Sequence, residues 1–156
     1  MSYTSTQAFC AGGTTIQYAS AGHSASPTYD KTLGEVTSVK QDGEKVATED
    51  ATNMQSLQGY KEFIPGMIDP GSYSFDFNCL PNDSGQAGLL PLAQSRKLTD
   101  WKVVLPPASG FVTSAGSYTF IGMVEEYGPF NFPPDKKATG ACKIKVSGPI
   151  TFAAGS

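Results

Sequence analysis

The sequence is poor in charge and in histidine. Only 16% of its residues are charged, the formal net charge is −3, and His23 is the single histidine. No cluster of lysine and arginine occurs, although nucleic-acid-binding proteins use such clusters to bind phosphates. The composition therefore argues against tight nucleic-acid binding. It is compatible with DNA contact that is weak and transient.

Long apolar runs are absent as well. The N-terminus, MSYTSTQAFCAGG, has no basic start followed by an apolar stretch, so no signal peptide is predicted. No segment approaches the roughly 20 apolar residues that a membrane-spanning helix needs. We expect a soluble protein with no membrane partner.

Cysteine is scarce, and its spacing is uninformative for a metal or a disulfide framework. Cys10, Cys79 and Cys142 are odd in number, far apart and outside any CxxC pattern. Cys79 continues the alternation of an aromatic strand, and Cys142 begins an alternating apolar face. Both are predicted to be small buried hydrophobic residues in a reducing compartment.

No catalytic set is recognisable. His23 lies in a stretch rich in glycine and serine without a nucleophile motif nearby, so it is predicted to be a surface-loop histidine. Phosphate-binding loops and paired histidines are absent from the sequence. Glu125 and Glu126 are adjacent, so on a strand they face opposite ways. We expect no enzyme activity, no cofactor and no metal site, and a structural or binding role instead.

What is abundant is turn-forming residues, with 17 glycines and 11 prolines. This composition favours β structure in one domain over residues 1–156. The most regular stretch covers residues 71–105. There Tyr73, Phe75 and Phe77 alternate with polar residues as in a half-buried strand, and Trp101 and Val103 restart the same period.

A helix is predicted between these two strands, from Ser84 to about Lys97. Asp83 is a good N-cap residue, and Gln86 three positions later suggests a capping box. Arg96 is expected with Lys97 in the last turn, where cations favour the helix dipole. Pro91 predicts a kink or break, because an interior proline removes one backbone hydrogen bond.

The other segments predict further strands joined by irregular connections. Residues 1–32 are predicted to form an N-terminal arm with a short strand at 14–19, and residues 33–40 to form a strand. Residues 41–60 are predicted to be a long loop between strands, which is uncommon in a compact domain unless the loop is functional or disordered. Residues 128–137 hold Phe130 and Phe132 among prolines, so these rings are either fixed to the core or offered to a partner. Consecutive strands of this kind make an antiparallel sandwich or barrel.

In this order and spacing, several segments carry a resemblance to a known family. They are GEV at Gly34, KEFIPGMIDPG at 61–71, NDSGQAGLL at 82–90, WKVVLP at 101–106 and KVSGPITF at 145–152. The chain resembles the major tail tube proteins of long-tailed bacteriophages from Leu33 to Phe152. The resemblance implies a mainly β fold with one helix, an antiparallel β-sandwich of two packed sheets flanked by an α-helix.

The resemblance also implies a structural virion protein of the phage tail, assembled in the host cytoplasm. Copies would form hexameric rings that stack into a tube, and genomic DNA would pass through the lumen without tight binding. The partners implied are further copies of the chain and the tail tip or baseplate, tape measure and tail terminator proteins. Two alternatives stay open at this point, a tube protein of a contractile injection system and a β-sandwich carbohydrate-binding or adhesin module.

Candidate residues follow from these roles. The long loop is expected to contact the adjacent ring through Glu44, Lys45, Glu49, Asp50, Asn53, Met54 and Leu57. A mildly acidic lumen would repel phosphates, and its candidates are Glu35, Asp76 and Glu125. Candidates for subunit interfaces are Phe130, Phe132, Lys143 and Lys145, the two lysines as partners in ion pairs between subunits.

Overall fold

A computed structural model describes residues 12–107 and 116–155 of the chain. Over these residues the chain forms ten strands, two short α-helices and one 3₁₀ turn, Leu57–Gly59. The strands are β1 Thr15–Tyr18, β2 Lys31–Thr32, β3 Val36–Gln41, β4 Lys45–Asp50, β5 Phe63–Asp69, β6 Ser72–Asn78, β7 Thr99–Val104, β8 Gly116–Tyr127, β9 Thr139–Val146 and β10 Thr151–Ala154, and the helices are α1 Ser84–Ala87 and α2 Leu89–Ser95. The chain is mainly β, as predicted.

One antiparallel sheet contains eight of these strands. Its order is β2-β1-β7-β8-β9-β6-β3, and β10 pairs with β8. Strand β8 is 12 residues long, and its neighbours change along its length. Its first half pairs with β7 and β10, and its second half pairs with β9. The long strand β8 therefore connects the two halves of the sheet.

The sheet folds over so that its halves face each other across the core. The rings of Phe75 on β6 and Trp101 on β7 lie 6.0 Å apart, although β8 and β9 separate these strands in the sheet. Tyr73 on β6 stacks on Phe120 of β8 at 4.3 Å. These contacts between non-neighbouring strands make the two halves the layers of an antiparallel sandwich, which confirms the predicted fold class.

The centre of the core is aromatic. Trp101 and Tyr18 are fully buried, and their rings lie 5.1 Å apart. The Tyr18 hydroxyl donates a 2.7 Å hydrogen bond to the carbonyl oxygen of Gly85 in α1, and burial raises the pKa of Tyr18 to about 12. The predicted inward face of Tyr73, Phe75 and Phe77 is buried, as a strand covered on one side requires.

Strand β1 of the N-terminal segment is part of this core. Strand β1 lies between β2 and β7, and Ile16 is 1% exposed. The short strand predicted at 14–19 is therefore confirmed as β1, which is a strand of the main sheet. Residues 1–11, including Cys10, lie outside the described residues.

The strand predicted for residues 33–40 is confirmed from Val36 onward. It is β3, Val36–Gln41, which pairs with β6 at one edge of the sheet, while β2 lies just before the predicted strand and pairs with β1 at the opposite edge. Between them Glu35 adopts a left-handed conformation with φ of 50°. A non-glycine residue seldom takes this conformation, so the residue type alone did not indicate the break.

The predicted helix is interrupted, as Pro91 suggested. Helix α1 ends at Ala87, Gly88 forms the junction, and α2 continues to Ser95. Pro91 has no N–H to donate to the carbonyl of Ala87, so the helical ladder is broken there. The predicted C-terminus was too late, because Arg96 is a left-handed C-cap with φ of 54° and the last turn of α2 contains no basic residue.

Gln86 replaces the expected capping box with longer-range contacts. Asp83 caps α1 by accepting a hydrogen bond from the Gln86 N–H at 2.9 Å. The Gln86 side chain does not return to the N-cap. It donates to the carbonyls of Gly34 and Asn78 at 3.0 and 2.8 Å and accepts from the Leu80 N–H at 2.9 Å. One buried amide thus joins the helix to two strand ends.

We expect Gln86→Leu to destabilise the fold. The substitution leaves three backbone groups without their partner, which should lower the free energy of unfolding by about 2 to 4 kcal/mol. Chemical denaturation followed by tryptophan fluorescence measures the change. The matched control is Gln55→Leu at an exposed position, which should leave the midpoint unchanged. Equal midpoints for the two variants would contradict the assigned role of Gln86.

Candidate assembly surfaces

The long loop predicted for residues 41–60 is a structured hairpin. Strands β4 and β5 pair with each other in a separate two-stranded sheet, from Lys45 opposite Asp69 to Asp50 opposite Phe63. We call residues 44–69 the arm. The loop prediction was wrong because β4 pairs with a strand that carries a proline, and neither strand has a buried face to give it a recognisable period.

The arm is exposed on both of its faces. Every residue of β4 and β5 is exposed. Thirteen large hydrophobic residues are exposed in the described part of the chain, and eight of them are in the arm. These eight are Val46, Met54, Leu57, Tyr60, Phe63, Ile64, Met67 and Ile68. A lone two-stranded hairpin is marginally stable in water, and exposed apolar patches of this kind mark interaction sites.

The tip of the arm is held by its own hydrogen bonds. The Asn53 N–H donates to Ser56 Oγ at 2.9 Å, and Ser56 Oγ donates to Glu62 Oε2 at 3.0 Å. The Glu62 N–H in turn donates to Thr52 Oγ1 at 2.9 Å. The fully exposed Met54 side chain is therefore presented by a hydrogen-bonded turn.

Two glycines cross closely at the base of the arm. Gly43 and Gly71 have φ values of 74° and 77°, and a Cβ on Gly71 would lie 2.6 Å from the carbonyl oxygen of Gly43. Beside this crossing the Asp42 N–H donates to the carbonyl of Ser72 at 3.0 Å. A side chain at Gly71 would force the two strands of the base apart.

An ion pair joins the base of the arm to the main sheet. Lys145 Nζ on β9 lies 3.1 Å from Asp69 Oδ1 at the end of β5, and the Gly71 N–H donates to the same oxygen at 2.9 Å. These two contacts, the Gly71 hydrogen bond first, hold the pKa of Asp69 below its ordinary value. A depressed carboxyl pKa stabilises the folded state at pH values above the unfolded pKa.

We expect the base of the arm to lose this stabilisation in acid. It is fully present above pH of about 4, the ordinary aspartate pKa, and is lost as pH falls through the lower folded value. A carboxyl NMR titration should find Asp69 titrating below the ordinary range. In Lys145→Met the pKa should rise, while the matched Lys40→Met should leave it in place. An Asp69 pKa at the ordinary value in the wild type would contradict these contacts.

All seven predicted ring-contact residues lie in the part of the arm that precedes β5, between residues 44 and 57. The structure describes Glu44, Lys45, Glu49, Asp50, Asn53, Met54 and Leu57 as exposed. Sequence reasoning missed β5, where Phe63, Ile64, Met67 and Ile68 are also exposed. Their apolar run suggested a core strand, although Pro65 within it was a signal for an edge strand.

The predicted lumen residues lie on one polar surface. The outward sides of β3, β6, β9 and β8 form this polar face, because Phe75, Phe77 and Ile144 on the same strands point into the core. Asp76 lies there opposite Ser38 and Ala141. Glu35 Oε2 accepts a 3.0 Å hydrogen bond from Asn78 Nδ2 at the end of β6, and Glu125 lies beside a bulge in β8.

Lysines interrupt the acidic residues of the polar face. Lys143 stands opposite Glu126 and Ser74, and its Nζ lies 3.7 Å from Glu125 Oε2. The face is therefore mixed in charge rather than uniformly acidic. Lys143 and Lys145 both have ion-pair partners within their own chain, which differs from the intersubunit pairs expected of them. Exposed pairs of this kind contribute little to stability.

Phe130 is fixed to the core, whereas Phe132 is exposed and available to a partner. Phe130 packs edge-on against Phe77 at 6.3 Å and Tyr127 at 4.9 Å, and Gly140 lacks the Cβ that would lie 2.6 Å from the Phe130 ring. Phe132 stacks parallel to Phe130 at 6.0 Å and is 70% exposed. We call Tyr127, Phe130 and Phe132 the aromatic platform, with one ring open to solvent.

His23 is less isolated than a surface-loop histidine. Its Nδ1 lies 2.9 Å from Asp100 Oδ1, and the other oxygen of this buried carboxylate accepts from the Ser24 N–H at 2.9 Å. The contact fixes the loop after β1 to strand β7. Among residues 12–107 and 116–155 no three histidine, cysteine, aspartate or glutamate side chains group as metal ligands.

The remaining sequence predictions concern cysteines and membrane spans. Cys142 is 1% exposed, and burial raises its thiol pKa to about 12, so it is a buried hydrophobic residue as predicted. Cys79 is partly buried against the core. Neither helix in the described part of the chain is long and apolar enough to cross a membrane.

Comparison with known proteins identifies the fold. No protein-family model matches the sequence, and no curated protein is significantly similar to it. Solved structures do match. A chain from the virion of a native gene transfer agent particle has a TM-score of 0.70 at 14% identity, covering 94% of this chain and 100% of that chain. The SPP1 tail tube has a TM-score of 0.60 at 12% identity, covering 90% and 76%.

A chain from a contractile injection system has a similar fold. A chain of the PVC sheath-tube complex, an extracellular contractile injection system in the extended state, has a TM-score of 0.64 at 10% identity, covering 90% of this chain and 88% of that chain. At identities this low the similarity is one of fold. The chain has the fold found in tail tubes and injection tubes.

Proposed function

We propose that this chain is a structural virion protein, the subunit of a phage tail tube. Copies form hexameric rings, and the rings stack into the conduit for DNA ejection. The observation that carries the proposal is the arm, a hairpin with eight exposed large hydrophobic side chains on a fold that matches tail tube and sheath-tube structures over most of its length. A folded monomer gains nothing from such an arm, whereas a polymer buries it.

The arm supplies the contact between rings. Closing a ring and stacking rings require two different heterologous interfaces, and the second must not close. A projecting hairpin with apolar residues on both faces suits the second interface, because it can insert between subunits of the adjacent ring. The seven candidates before β5 and the four apolar residues of β5 act together in this contact.

The polar face lines the lumen. Most of its side chains are hydrophilic, and Glu35, Asp76 and Glu125 place negative charge among Lys143 and Lys145. This mixture of charges gives DNA phosphates no concentrated positive patch to bind. The duplex then slides through without tight binding. The chain needs no cofactor for this role and performs no catalysis.

The resemblance of the sequence to tail tube proteins extends the proposal to partners. Besides further copies of itself, the chain meets a tail tip or baseplate at one end of the tube and a terminator at the other, around a tape measure protein. Its place is the virion tail, after assembly in the host cytoplasm. A second candidate is the tube of a contractile injection system, which the similarity to the sheath-tube complex favours.

The carbohydrate-binding alternative receives less support. It needs several aromatic rings open to a groove, but Phe130 and Tyr127 are partly buried in the core contacts of the platform. Only Phe132 is open there, at 70% exposure.

Sedimentation velocity tests the proposal. Across a concentration series, the purified protein should pass from a species of 16.4 kDa to rings and much larger polymers with few sizes between them. A single 16.4 kDa species at every concentration and salt level, together with its absence from assembled tails, would overturn the tube assignment.

A further inference from the structure

We propose that the aromatic platform is the docking site for the arm of a second copy of this chain. The inference rests on the proposed function and names the surface that receives the arm. It joins two surfaces of the same chain, head to tail.

The topology places the two surfaces at opposite ends of the sandwich. Strand β6 leaves the base of the arm at Ser72 and ends at Asn78, which pairs with Thr139. Thr139 exchanges hydrogen bonds with Asn131 at 2.9 and 3.0 Å. Asn131 lies in residues 128–137, which we call the platform loop. Strand β9 returns to the arm, where the Val146 N–H donates to the carbonyl of Gly71 at 3.2 Å. Strands of this length separate the two ends by about 20 Å.

Within one copy the arm does not cover the platform. Phe132 is 70% exposed, and the large apolar residues of the arm, such as Phe63 and Met67, are exposed as well. Two apolar surfaces at opposite ends of a subunit therefore remain open together. Copies arranged head to tail can close both contacts at once, and such an arrangement continues without an end.

The platform has the character of an interface anchor. Phe132 stacks on Phe130, which packs against Phe77 of the core, so its ring is backed by other rings. The paired bonds between Asn131 and Thr139 hold the loop to β9. Aromatic residues backed in this way dominate binding energy in interfaces, and they lose little side-chain entropy on binding.

Charge complements the apolar match. The arm contains five carboxylates and two lysines, so it carries a net charge of −3, the whole excess of the chain. The platform loop carries Lys136 and Lys137 against Asp135, a net charge of +1. An acidic arm approaching a basic loop is favoured in orientation and in rate of encounter. The reverse pairing, arm against arm, would bring like charges together.

Two variants that each break one side of the contact test the inference. Phe132→Glu removes the platform ring and adds a charge that repels the acidic arm. We expect it to remain folded, because the ring is largely exposed, and to raise the concentration needed for tube formation at least tenfold. Phe132→Tyr is the matched control and should polymerise like the wild type. Light scattering measures polymerisation, and circular dichroism verifies the fold.

Mixing the two classes of variant identifies the partner surface. A second chain has residues 44–69 replaced by a short glycine-serine turn, so it keeps the platform but has no arm. Neither variant should stack alone. Their mixture should form one junction, seen by sedimentation as a complex containing both chains, because the arm of Phe132→Glu meets the intact platform.

The outcomes separate this inference from the proposed function. If Phe132→Glu stacks as the wild type does, or if it fails to stack and the mixture forms no complex, the arm does not dock on the platform and the inference is overturned while the tube assignment stands. If the wild type itself forms no polymer under any condition or in tails, the proposed function fails, and the inference with it.

Discussion

Replacing residues 44–69 with a short glycine-serine turn is expected to abolish tube formation and leave a folded chain. The arm has its strand pairing within itself, and its residues are exposed, so its removal opens no cavity in the core. The Asp42 N–H already bonds to the Ser72 carbonyl at 3.0 Å, which brings the cut ends together. The free energy of unfolding should change by about 1 kcal/mol or less.

Electron microscopy measures tube formation by the arm-replaced chain, and thermal unfolding measures its stability. A second variant, Phe63→Ser with Ile64→Ser and Met67→Ser, keeps the arm but removes apolar side chains, and it should also fail to stack. Normal tubes from the arm-replaced chain would refute the axial role of the arm. A large fall in its melting temperature would show instead that the arm supports the core.

Trp101→Ala is expected to have the largest effect on folding. Trp101 is fully buried, contacts Tyr18 and Phe75, and donates its indole N–H to the carbonyl of Gly122 at 3.3 Å. Deleting a buried tryptophan ring costs about 3 to 5 kcal/mol, against a total stability of about 5 to 15 kcal/mol. The melting temperature should fall by roughly 10 °C.

Calorimetry of two matched variants tests this assignment. Trp101→Phe keeps an aromatic ring in place and should lose less than half as much stability as Trp101→Ala. Tyr60→Ala removes an exposed ring of the arm and should leave the melting temperature unchanged. A melting temperature for Trp101→Ala equal to that of Tyr60→Ala would mean that Trp101 is not the centre of the core.

Stability and assembly thus depend on different parts of the chain. The contacts of Trp101 hold the two layers together, whereas the side chains of the arm contribute to no buried cluster in the described residues. In the proposed tube, this separation lets the core be stable in a single chain while the arm becomes buried only in the polymer.

The sequence predicted the core strands because one of their faces is buried. Phe75 and Phe77 alternate with Asp76 and Asn78 for that reason, and Trp101 alternates with Lys102. The period of two follows directly from the geometry of a half-buried strand. The mainly β, antiparallel class could therefore be predicted from local pattern, whereas the sandwich with a flanking helix was implied by the family resemblance.

The arm could not be predicted in the same way. Neither of its faces meets the core, so Phe63 and Ile64 are adjacent apolar residues on opposite faces, and the charged strand β4 has no period at all. In the proposed tube another subunit buries these residues, so the sequence of a single chain shows no burial pattern for them. Pro65 was the one local sign that β5 is not a central strand.

Long-range contacts account for the remaining errors. Gln86 has the spacing of a capping box, but carbonyls at Gly34 and Asn78, far away in the sequence, bind its side chain instead. Glu35 breaks a run of strand-forming residues through a left-handed conformation that glycine would have signalled. For the polar face, the outward positions were predictable but the lysine neighbours of the acidic residues depended on strand register.

Negative-stain electron microscopy of the concentrated wild-type protein shows whether this chain forms a tube. We expect rings and hollow tubes with an open channel, formed by this chain alone and shortened or lost when the arm is replaced. If the images show only small particles at every concentration, with no ring, tube or channel, and purified tails do not contain the chain, it is not a tube subunit.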